Sequence, residues 1–488
     1  MTCRWHERDD FKKTEEDKDM QITKREFLKR LGLGGAALAG GAALGDQAVK
    51  TKNALPAGSC GDPDNVGFGK NIFPIEHTMA DGPSCVLKDG KILQPAREIP
   101  IFHTTDVVVV GGGSAGFAAA VAAARTGAKV ALVERYGSLG GLFTNGMVLI
   151  MLCTSAREGK KFRLVTKGLV EEFAKRARAL GDWVCTGPVP PNRHWQPTVD
   201  PEGAKYLMDK MVAEEKIDMF FHCWGVDTIQ DGDKVLGIVF ESKQGRQAIL
   251  AKQVVDCTGD ADVLFQAGGD YKQITHGIGH VVRLANMDRI TAKKPPKGKA
   301  GRWPTRSNEA NPSTWWGNFG TGPKGNGLDV RDLTAAEIDF RKRWWEHVAE
   351  MRQEPGWEKV FIANTCSQIG PRASRLIDAE FVVSRAVLRG DYKPDDVVGW
   401  CGADGRHAAF PIPYRQLVPK KVDNLLCAGR CLGTGDTIDT FRLICPCFVT
   451  GQAAGTAAAL AAQAGVTPRA LPYSTLRQAL EKGGVYLG

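Results

Sequence analysis

A glycine-rich segment that follows a strongly apolar run has the residue types and spacing of a phosphate-binding turn. The run DVVVV begins at Asp106, and Gly111, Gly113 and Gly116 follow it in G-x-G-x-x-G spacing. The first glycine permits a tight turn, the second lets a pyrophosphate approach the backbone, and the third lets helix and strand pack closely. The N–H groups and positive dipole end of the next helix attract phosphates. We therefore predict a dinucleotide site.

An acidic residue and a second strand complete this unit. The Ala-rich residues after the glycines predict a helix, and residues 129–133 predict a strand that ends beside Glu134. Glu134 lies 18 residues after Gly116, where a carboxylate accepts a hydrogen bond from a ribose hydroxyl in such folds. This order of strand, helix, strand and acid favours a dinucleotide fold over an isolated glycine turn.

Length, charge and composition limit the possible classes of protein. A chain of 488 residues with 43% hydrophobic residues can bury a large core, and its length predicts two joined domains. The net charge, 64 − 55 = +9, is modest for this length. The basic tract at residues 293–306 is interpreted as a solvated loop, so no nucleic-acid partner is predicted.

The cysteines suggest packing more than metal binding. There are 13, with no repeated C-x-x-C framework, so most are interpreted as small buried hydrophobic side chains. Cys60 and Cys85 precede the fold and could form a disulfide if the protein is exported. An iron–sulfur or metal site stays open as an alternative at a later cluster, Cys427, Cys431, Cys445 and Cys447.

The first 45 residues are predicted to be an export signal. The octapeptide TKREFLKR at 23–30 precedes a weakly hydrophobic Gly/Ala stretch that is too short and too glycine-rich to span a membrane. The pattern resembles twin-arginine signals with Lys24 in place of the first arginine, and cleavage is expected after Gly45. We predict a periplasmic or cell-envelope location and no stable membrane span in the rest of the chain. The alternative is an amphipathic or disordered N-terminal arm.

The remaining chain alternates between a regular pattern and an irregular middle. Helices are predicted near 166–180 and 202–215, strands at 218–223, 226–230, 235–241, 247–256 and 424–429, and a last helix from 451 to about 464. Asp231-Gly232 predicts a hairpin turn. Residues 264–420 lack this alternation and carry most of the tryptophans; we interpret them as an inserted substrate domain, with Trp344 and Trp345 as packing anchors.

Five stretches together resemble the FAD-dependent oxidoreductases of two-dinucleotide-binding-domain architecture, distantly related to the fumarate reductase flavoproteins. They are DVVVVGGGSAG with Glu134, LGG at 139–141, DPEGAKYLMDKM at 200–211, VVDCTGDADV at 254–263, and NLLCAGR with FRLICPCFVTGQAAGTAAA within 424–459. The resemblance covers roughly residues 104–470.

This resemblance implies an α/β fold. It predicts a Rossmann-like FAD-binding domain with a central parallel sheet and a β-hairpin or meander insertion, and an inserted α+β substrate or cap domain. The predicted boundaries are export signal 1–45, lead-in segment 46–104, FAD-binding domain 105–150 with 202–270 and 420–488, and cap 151–201 with 271–419.

The resemblance also implies FAD as the cofactor, in a site assembled from both ends of the chain. The last helix is expected to aim its N-terminus at the pyrimidine edge of the flavin. No second complete G-x-G-x-x-G motif for NAD(P) is present. The predicted cofactor-binding residues are Gly111, Gly113, Ser114, Ala115, Gly116, Glu134, Arg135, Gly140, Gly141, Val226, Thr258, Gly259, Asp260, Gly429, Arg430, Gln452 and Ala453.

Two residues are predicted to take part in catalysis. His407 precedes the return of the chain to the flavin domain and is a candidate acid or base, with a surface histidine as the alternative. Arg442, between the last strand and the last helix, is a candidate for stabilising negative charge. Arg375 is expected to brace the domain joint. His276 and His280 are interpreted as packing residues on one face of a strand.

These inferences predict an exported FAD-dependent oxidoreductase that transfers a hydride between a small organic substrate and flavin N5. A flavin-containing electron-transfer subunit and a non-catalytic dinucleotide-fold binding protein are the alternatives. A redox partner protein or a quinone is a possible second partner. The sequence leaves the substrate, the reaction direction and the oligomeric state open.

Overall fold

The computed structural model describes residues 85–186, 196–291, 310–318, 324–402, 408–433 and 435–488. The predicted export signal, Cys60 and His407 lie outside these ranges, as does most of the predicted lead-in segment.

Helices and strands in the described ranges are numbered in chain order. The strands are β1 Val86–Lys88, β2 Lys91–Leu93, β3 Ile101–Val110, β4 Val130–Val133, β5 Ser155–Glu158, β6 Lys161–Leu164, β7 Asp218–Phe220, β8 Trp224–Asp231, β9 Lys234–Ser242, β10 Gly245–Asp256, β11 Tyr271–Gln273, β12 His276–Gly279, β13 Val281–Ala285, β14 Thr314–Asn318, β15 Lys324–Gly325, β16 Phe361–Thr365, β17 Gly370–Pro371, β18 Arg375–Ile377, β19 Val397–Cys401, β20 Phe410–Pro413 and β21 Leu425–Cys427. The helices are α1 Ser114–Arg125, α2 Leu169–Ala179, α3 Pro201–Glu214, α4 Asp262–Gln266, α5 Val330–Met351, α6 Arg385–Arg389, α7 Ile438–Phe441, α8 Ile444–Ala464 and α9 Tyr473–Lys482. Short 3-10 turns lie at Met287–Arg289, Tyr414–Gln416 and Pro468–Ala470.

A mixed sheet organises the part of the chain that carries the glycine motif. Its order is β7-β4-β3-β10-β9-β8, with β3, β4, β7 and β10 parallel. The first half of β10 pairs antiparallel with β9, and its last residues pair parallel with β21 from the end of the chain. Because helices cover the sheet, the apolar residues that end β3 are buried on both faces. The predicted α/β fold with a hairpin insertion is confirmed.

Helices α1 and α8 pack against each other at very short range. A Cβ added at Gly451 would lie 2.1 Å from the carbonyl oxygen of Ala115, and one added at Gly455 would lie 2.0 Å from that of Ala119. Any side chain at either glycine would therefore push the helices apart. This contact joins the first glycine motif to the last helix, more than 300 residues later.

The middle of the chain has a hydrophobic cluster of its own. Strand β13 pairs with β14 on one side and β16 on the other, and α5 packs over them with Phe340 and Trp344. Trp344 is 1% exposed and acts as the predicted anchor. Trp345 is 72% exposed, so its prediction as an anchor is wrong: the next residue of a helix points about 100° away. The exact domain boundaries stay predictions.

Two further sequence predictions need correction. The helix predicted from 451 is α8, which begins at Ile444; Pro446 is its third residue, where a missing N–H costs nothing, so the helix can include the residues before 451. His276 and His280 do not share a face: β12 ends at Gly279, His276 is partly exposed, and His280 is fully buried and stacked on Phe340. Burial lowers the pKa of His280 to about 4, so this imidazole is neutral at pH 7.

Helix α8 also has the length and apolar composition of a membrane span. In the most apolar 18-residue stretch of this helix, 94% of the stretch is buried inside the protein, as expected for the central helix of a folded core.

We expect Gly455→Ala to destabilise the protein by about 3 kcal/mol, because overpacking at this backbone contact outweighs the gain in helix propensity of about 1 kcal/mol. Denaturant unfolding measures the change. Gly435→Ala is the control, since nothing lies within 4 Å of a Cβ added there. Equal stability of the two variants would contradict the α1–α8 contact.

Candidate functional site

A crevice of about 850 Å³, partly open to solvent, lies where the parallel strands end. Its wall comes from three distant parts of the chain. The turns after β3 and β4 form one part, the residues after β10 form the second, and the residues after β21 with the start of α8 form the third. Gln368, from the middle of the chain, also lines it. The carboxyl edge of a parallel sheet is where α/β folds bind ligands.

The start of α1 faces this crevice. Gly113 occupies the N-cap position, and no side chain caps the helix, so its first N–H groups are available to an anion. Gly116 lies beneath the turn and not on the wall. A Cβ at Gly116 would lie 1.7 Å from the carbonyl oxygen of Gly111, so this glycine permits the turn itself.

Glu134 joins the glycine turn to the end of β4. Its Oε2 accepts from the Gly112 N–H at 2.6 Å, and its Oε1 accepts from the Tyr136 N–H at 2.8 Å. The side chain is buried, and desolvation raises its pKa although the backbone donors oppose that shift. The carboxylate thus lines the crevice with its position fixed by two backbone groups.

The Arg135 guanidinium and two aromatic rings that it contacts continue the wall beyond Glu134. The Arg135 guanidinium lies 4.9 Å from the ring centre of Tyr136 and 5.1 Å from that of Trp224. Trp224 and Gly225 line the crevice, whereas the predicted Val226 does not. The pairing register of β8 shifts between Gly225 and Asp227, so Val226 falls in a bulge.

A buried ion pair stands on the opposite wall. The Arg430 guanidinium donates to the Asp260 carboxylate, which also accepts from the Ser374 hydroxyl. Gly259 packs on this guanidinium, because a Cβ there would lie 2.7 Å from Arg430 Nη1. Arg430 Nε is buried and has no hydrogen-bond partner within the described ranges. Asp260 therefore positions Arg430, and Arg430 lines the crevice.

Arg442 and the start of α8 close the third side. Leu443 is the N-cap of α8 and provides no side-chain acceptor, so the positive end of the helix dipole opens at Ile444, which lines the crevice. Arg442 donates to Asp439 Oδ1 at 3.1 Å, and His276 Nε2 lies 3.6 Å from the same oxygen. An arginine on the wall is thus linked through a carboxylate to a partly exposed histidine.

Most of the predicted cofactor-binding residues meet in this crevice, although they come from distant segments. Gln452 and Ala453 do not line it, because α8 begins eight residues before Gln452 and carries both residues into the core. Gln452 instead accepts from the Leu169 N–H at 2.9 Å. The predicted residues on the wall are Gly111, Gly113, Ser114, Ala115, Glu134, Arg135, Gly140, Gly141, Thr258, Gly259, Gly429 and Arg430.

Several wall residues were not predicted. Trp224 follows directly on a predicted strand, so strand-end position could have indicated it, whereas Gln368 lies in the irregular middle and carries no local signal.

Arg375 acts as the predicted brace: it donates to Asp260 O and Asp262 Oδ1, and its guanidinium lies 4.2 Å from the Phe265 ring centre.

The late cysteines are individual thiols. Burial raises the pKa of Cys447 to about 12, although Arg430 and Arg442 oppose that shift. In the described part of the chain, no three His, Cys, Asp or Glu side chains come together to hold a metal ion. Cys85 is an exposed free thiol. All four members of the cluster are buried and free, namely Cys427, Cys431, Cys445 and Cys447.

A family model described as FAD dependent oxidoreductase matches residues 106–480. This chain belongs to the FAD-dependent oxidoreductase family. The family membership confirms both the oxidoreductase class and the cofactor predicted from the sequence.

Individual relatives of this oxidoreductase match over parts of their length. The dihydrolipoyl dehydrogenase of Trypanosoma brucei brucei is 55% identical over 49 residues, 10% of either chain. The fumarate reductase (cytochrome) of Shewanella frigidimarina is 29% identical over 232 residues, 40% of this chain and 38% of the relative. The chain therefore matches about two fifths or less of the length of these curated relatives.

Two solved structures of low identity are similar to this chain over most of their length. A geranylgeranyl bacteriochlorophyll reductase-like protein from Thermoplasma acidophilum is 15% identical with a TM-score of 0.40, covering 78% of this chain and 82% of that one. The p-nitrophenol 4-monooxygenase of Pseudomonas putida DLL-E4 is 12% identical with a TM-score of 0.40, covering 79% and 90%.

The residues that line the crevice of this flavoprotein fit FAD independently of the family match. It offers an uncapped helix start for phosphates, a buried carboxylate for a ribose, and glycines where side chains would fill the space. Two of its wall residues, Arg430 and Gln368, carry buried polar atoms that have no hydrogen-bond partner among the described residues. We propose that the wall residues named above hold the cofactor.

We expect Glu134→Gln to weaken FAD binding about tenfold, because the new NH₂ would face a backbone N–H that now donates to a carboxylate oxygen. Fluorescence titration of the apoprotein with FAD measures this, with the exposed Glu158→Gln as control. Since burial raises the pKa of Glu134, acidification should also weaken wild-type binding at a pH above the ordinary glutamate range. The role of Glu134 is contradicted if Glu134→Gln binds FAD as tightly as wild type and if acidification leaves the wild-type affinity unchanged.

Proposed function

We propose that this flavoenzyme transfers a hydride between a small organic substrate and N5 of its FAD. The observation that carries the proposal is the position of Arg442 on the wall of the crevice, with its guanidinium held by Asp439. FAD when bound supplies the hydride-accepting and hydride-donating centre. The chain's own residues then have to orient the substrate, stabilise charge and hold a proton.

Two positive features lie at the same end of the crevice. The Arg442 guanidinium and the uncapped N-terminus of α8 both favour negative charge that is placed there. Hydride transfer leaves excess negative charge on an oxygen or nitrogen of one reactant. A fixed cation and a helix dipole stabilise such charge without reorganisation, which is the usual large contribution to catalysis.

The proton has a candidate holder nearby. His276 Nδ1 accepts from the Gly277 N–H at 2.8 Å, so the neutral imidazole carries its hydrogen on Nε2, which faces Asp439. The chain His276–Asp439–Arg442 therefore links a titratable group to the crevice wall. His407, the predicted acid or base, lies outside the described residues, and its role stays a prediction.

We expect Arg442→Ala to slow substrate-dependent bleaching of the flavin at least a hundredfold, because removal of one preorganised charge-stabilising group costs a factor of this order. Anaerobic stopped-flow absorbance over a panel of small organic reductants and oxidants provides the measurement. FAD content should stay near that of the wild type. Arg389→Ala, at an exposed helix end, is the control.

The panel also tests the wider proposal. If no candidate bleaches or re-oxidises the wild-type flavin, hydride transfer to a small organic molecule is contradicted. If Arg442→Ala is as fast as wild type, the reaction stands and the role given to Arg442 does not.

We further propose that the enzyme works outside the cytoplasm, and that a redox protein or a quinone exchanges its electrons. The support is the twin-arginine-like segment at 23–30 and the lack of a second complete nucleotide motif in the sequence. A route that exports folded proteins suits a chain whose FAD site needs both chain ends to be in place.

Export is testable by fractionation of cells that make the full chain. We expect the double change Lys24→Gln with Arg25→Gln to keep the protein in the cytoplasm at its full length, because the signal loses its paired basic residues. The matched control changes another basic pair, Lys12→Gln with Lys13→Gln, and should be exported normally. If the unchanged protein stays in the cytoplasm, export is excluded; if all three proteins are exported alike, the role of Lys24 and Arg25 in the signal is excluded.

A further inference from the structure

The side chain of Gln368 lies between β16 and β17 and lines the crevice. It is 8% exposed, and its Oε1 has no hydrogen-bond partner among the described residues. Buried polar atoms are almost always bonded, so an unbonded carboxamide oxygen at a cofactor crevice indicates a missing donor.

The backbone holds this side chain in place. The N–H groups of Ser367 and Gln368 both donate to the carbonyl oxygen of Asn145, at 3.0 and 3.3 Å. The Cys366 N–H donates to Val281 O at 2.9 Å, and Gly370 pairs with Gly279 two residues later. The segment is therefore tied on both sides of Gln368, which fixes the backbone from which the side chain reaches the crevice.

The surroundings of the amide contain a second unmatched group. Asn145 follows the Gly140–Gly141 turn, and its Nδ2 is also buried with no acceptor in the part of the chain that the structure describes. The two side chains are brought near one another in the fold by the backbone bonds from Ser367 and Gln368 to Asn145 O. A Cβ at Gly141 would lie 3.9 Å from Gln368 Oε1, so the absence of that Cβ leaves space beside the oxygen.

We propose that Gln368 Oε1 accepts a hydrogen bond from an N–H or O–H group of bound FAD. The middle segment of the chain thereby contributes a cofactor contact that none of the glycine motifs predicts. The inference depends on FAD as the cofactor and not on the hydride-transfer reaction. The donor is either present in both redox states or added when FAD is reduced, and these two sources differ in their effect on the midpoint potential.

The test replaces the amide with a side chain of similar length that cannot accept a hydrogen bond, Gln368→Met. The matched control is Gln416→Met. Gln416 is 1% exposed, has both amide atoms unbonded among the described residues, and does not line the crevice. Both changes remove a buried unbonded amide, so neither should lower the melting temperature of the apoprotein.

For a donor present in both states, we expect Gln368→Met to weaken oxidised FAD binding about tenfold in a fluorescence titration of the apoprotein, with an unchanged potential. For a donor added on reduction, oxidised binding stays the same and the midpoint potential falls by about 30 mV, the equivalent of a tenfold loss in a two-electron couple. Gln416→Met should change neither quantity.

The proposal is overturned if Gln368→Met leaves both affinity and potential unchanged, or if Gln416→Met shifts them equally. A lower apoprotein melting temperature for Gln368→Met with normal FAD affinity and potential would assign the side chain a purely structural role. Should Gln368→Met fail to fold, Gln368→Leu removes the same acceptor with less bulk and is judged by the same criteria.

Discussion

The structure depends on one backbone contact, the approach of α8 to α1 through Gly451 and Gly455. The carbonyl oxygens of Ala115 and Ala119 occupy the space where side chains would otherwise stand. This contact fixes the start of α8 relative to the glycine turn, and both face the same crevice. Repulsion is steep for a Cβ about 2 Å from a carbonyl oxygen, so a single methyl group would disturb both helices and the crevice between them.

The crevice gathers groups that would be costly in an ordinary core. Glu134 is buried beside backbone donors, Arg430 forms a buried ion pair with an unbonded Nε, and Gln368 keeps an unbonded oxygen. Each is unfavourable in the protein alone and becomes favourable when a ligand supplies the missing partner. Arg430 and Gln368 differ from the other unbonded buried groups of the described residues in lining the crevice, where a ligand can supply the partner.

Sequence patterns predicted the sheet and the first half of the site well, for local reasons. The turn at Gly111 and the strand that ends at Glu134 follow from glycine conformations and apolar runs within 30 residues. Prediction failed where position depends on distant contacts. The helix predicted from 451 begins at Ile444 as α8, and Gln368 is recognisable only once β16 and β17 bring it to the Gly140–Gly141 turn.

The arrangement also explains why the site needs a long middle segment. His276 belongs to β12 in that segment, whereas Asp439 lies in α7 and Arg442 directly follows it, yet one Asp439 oxygen lies near both the His276 imidazole and the Arg442 guanidinium. Gln368 reaches the crevice from the same segment through its bonds to Asn145. Because the glycine turn alone can position a dinucleotide but offers no acid, base or cation, the reactive side chains have to come from elsewhere. The middle segment therefore contributes to the site in two places. Gln368 lines the crevice, and His276 lies beside Asp439, the carboxylate that holds Arg442.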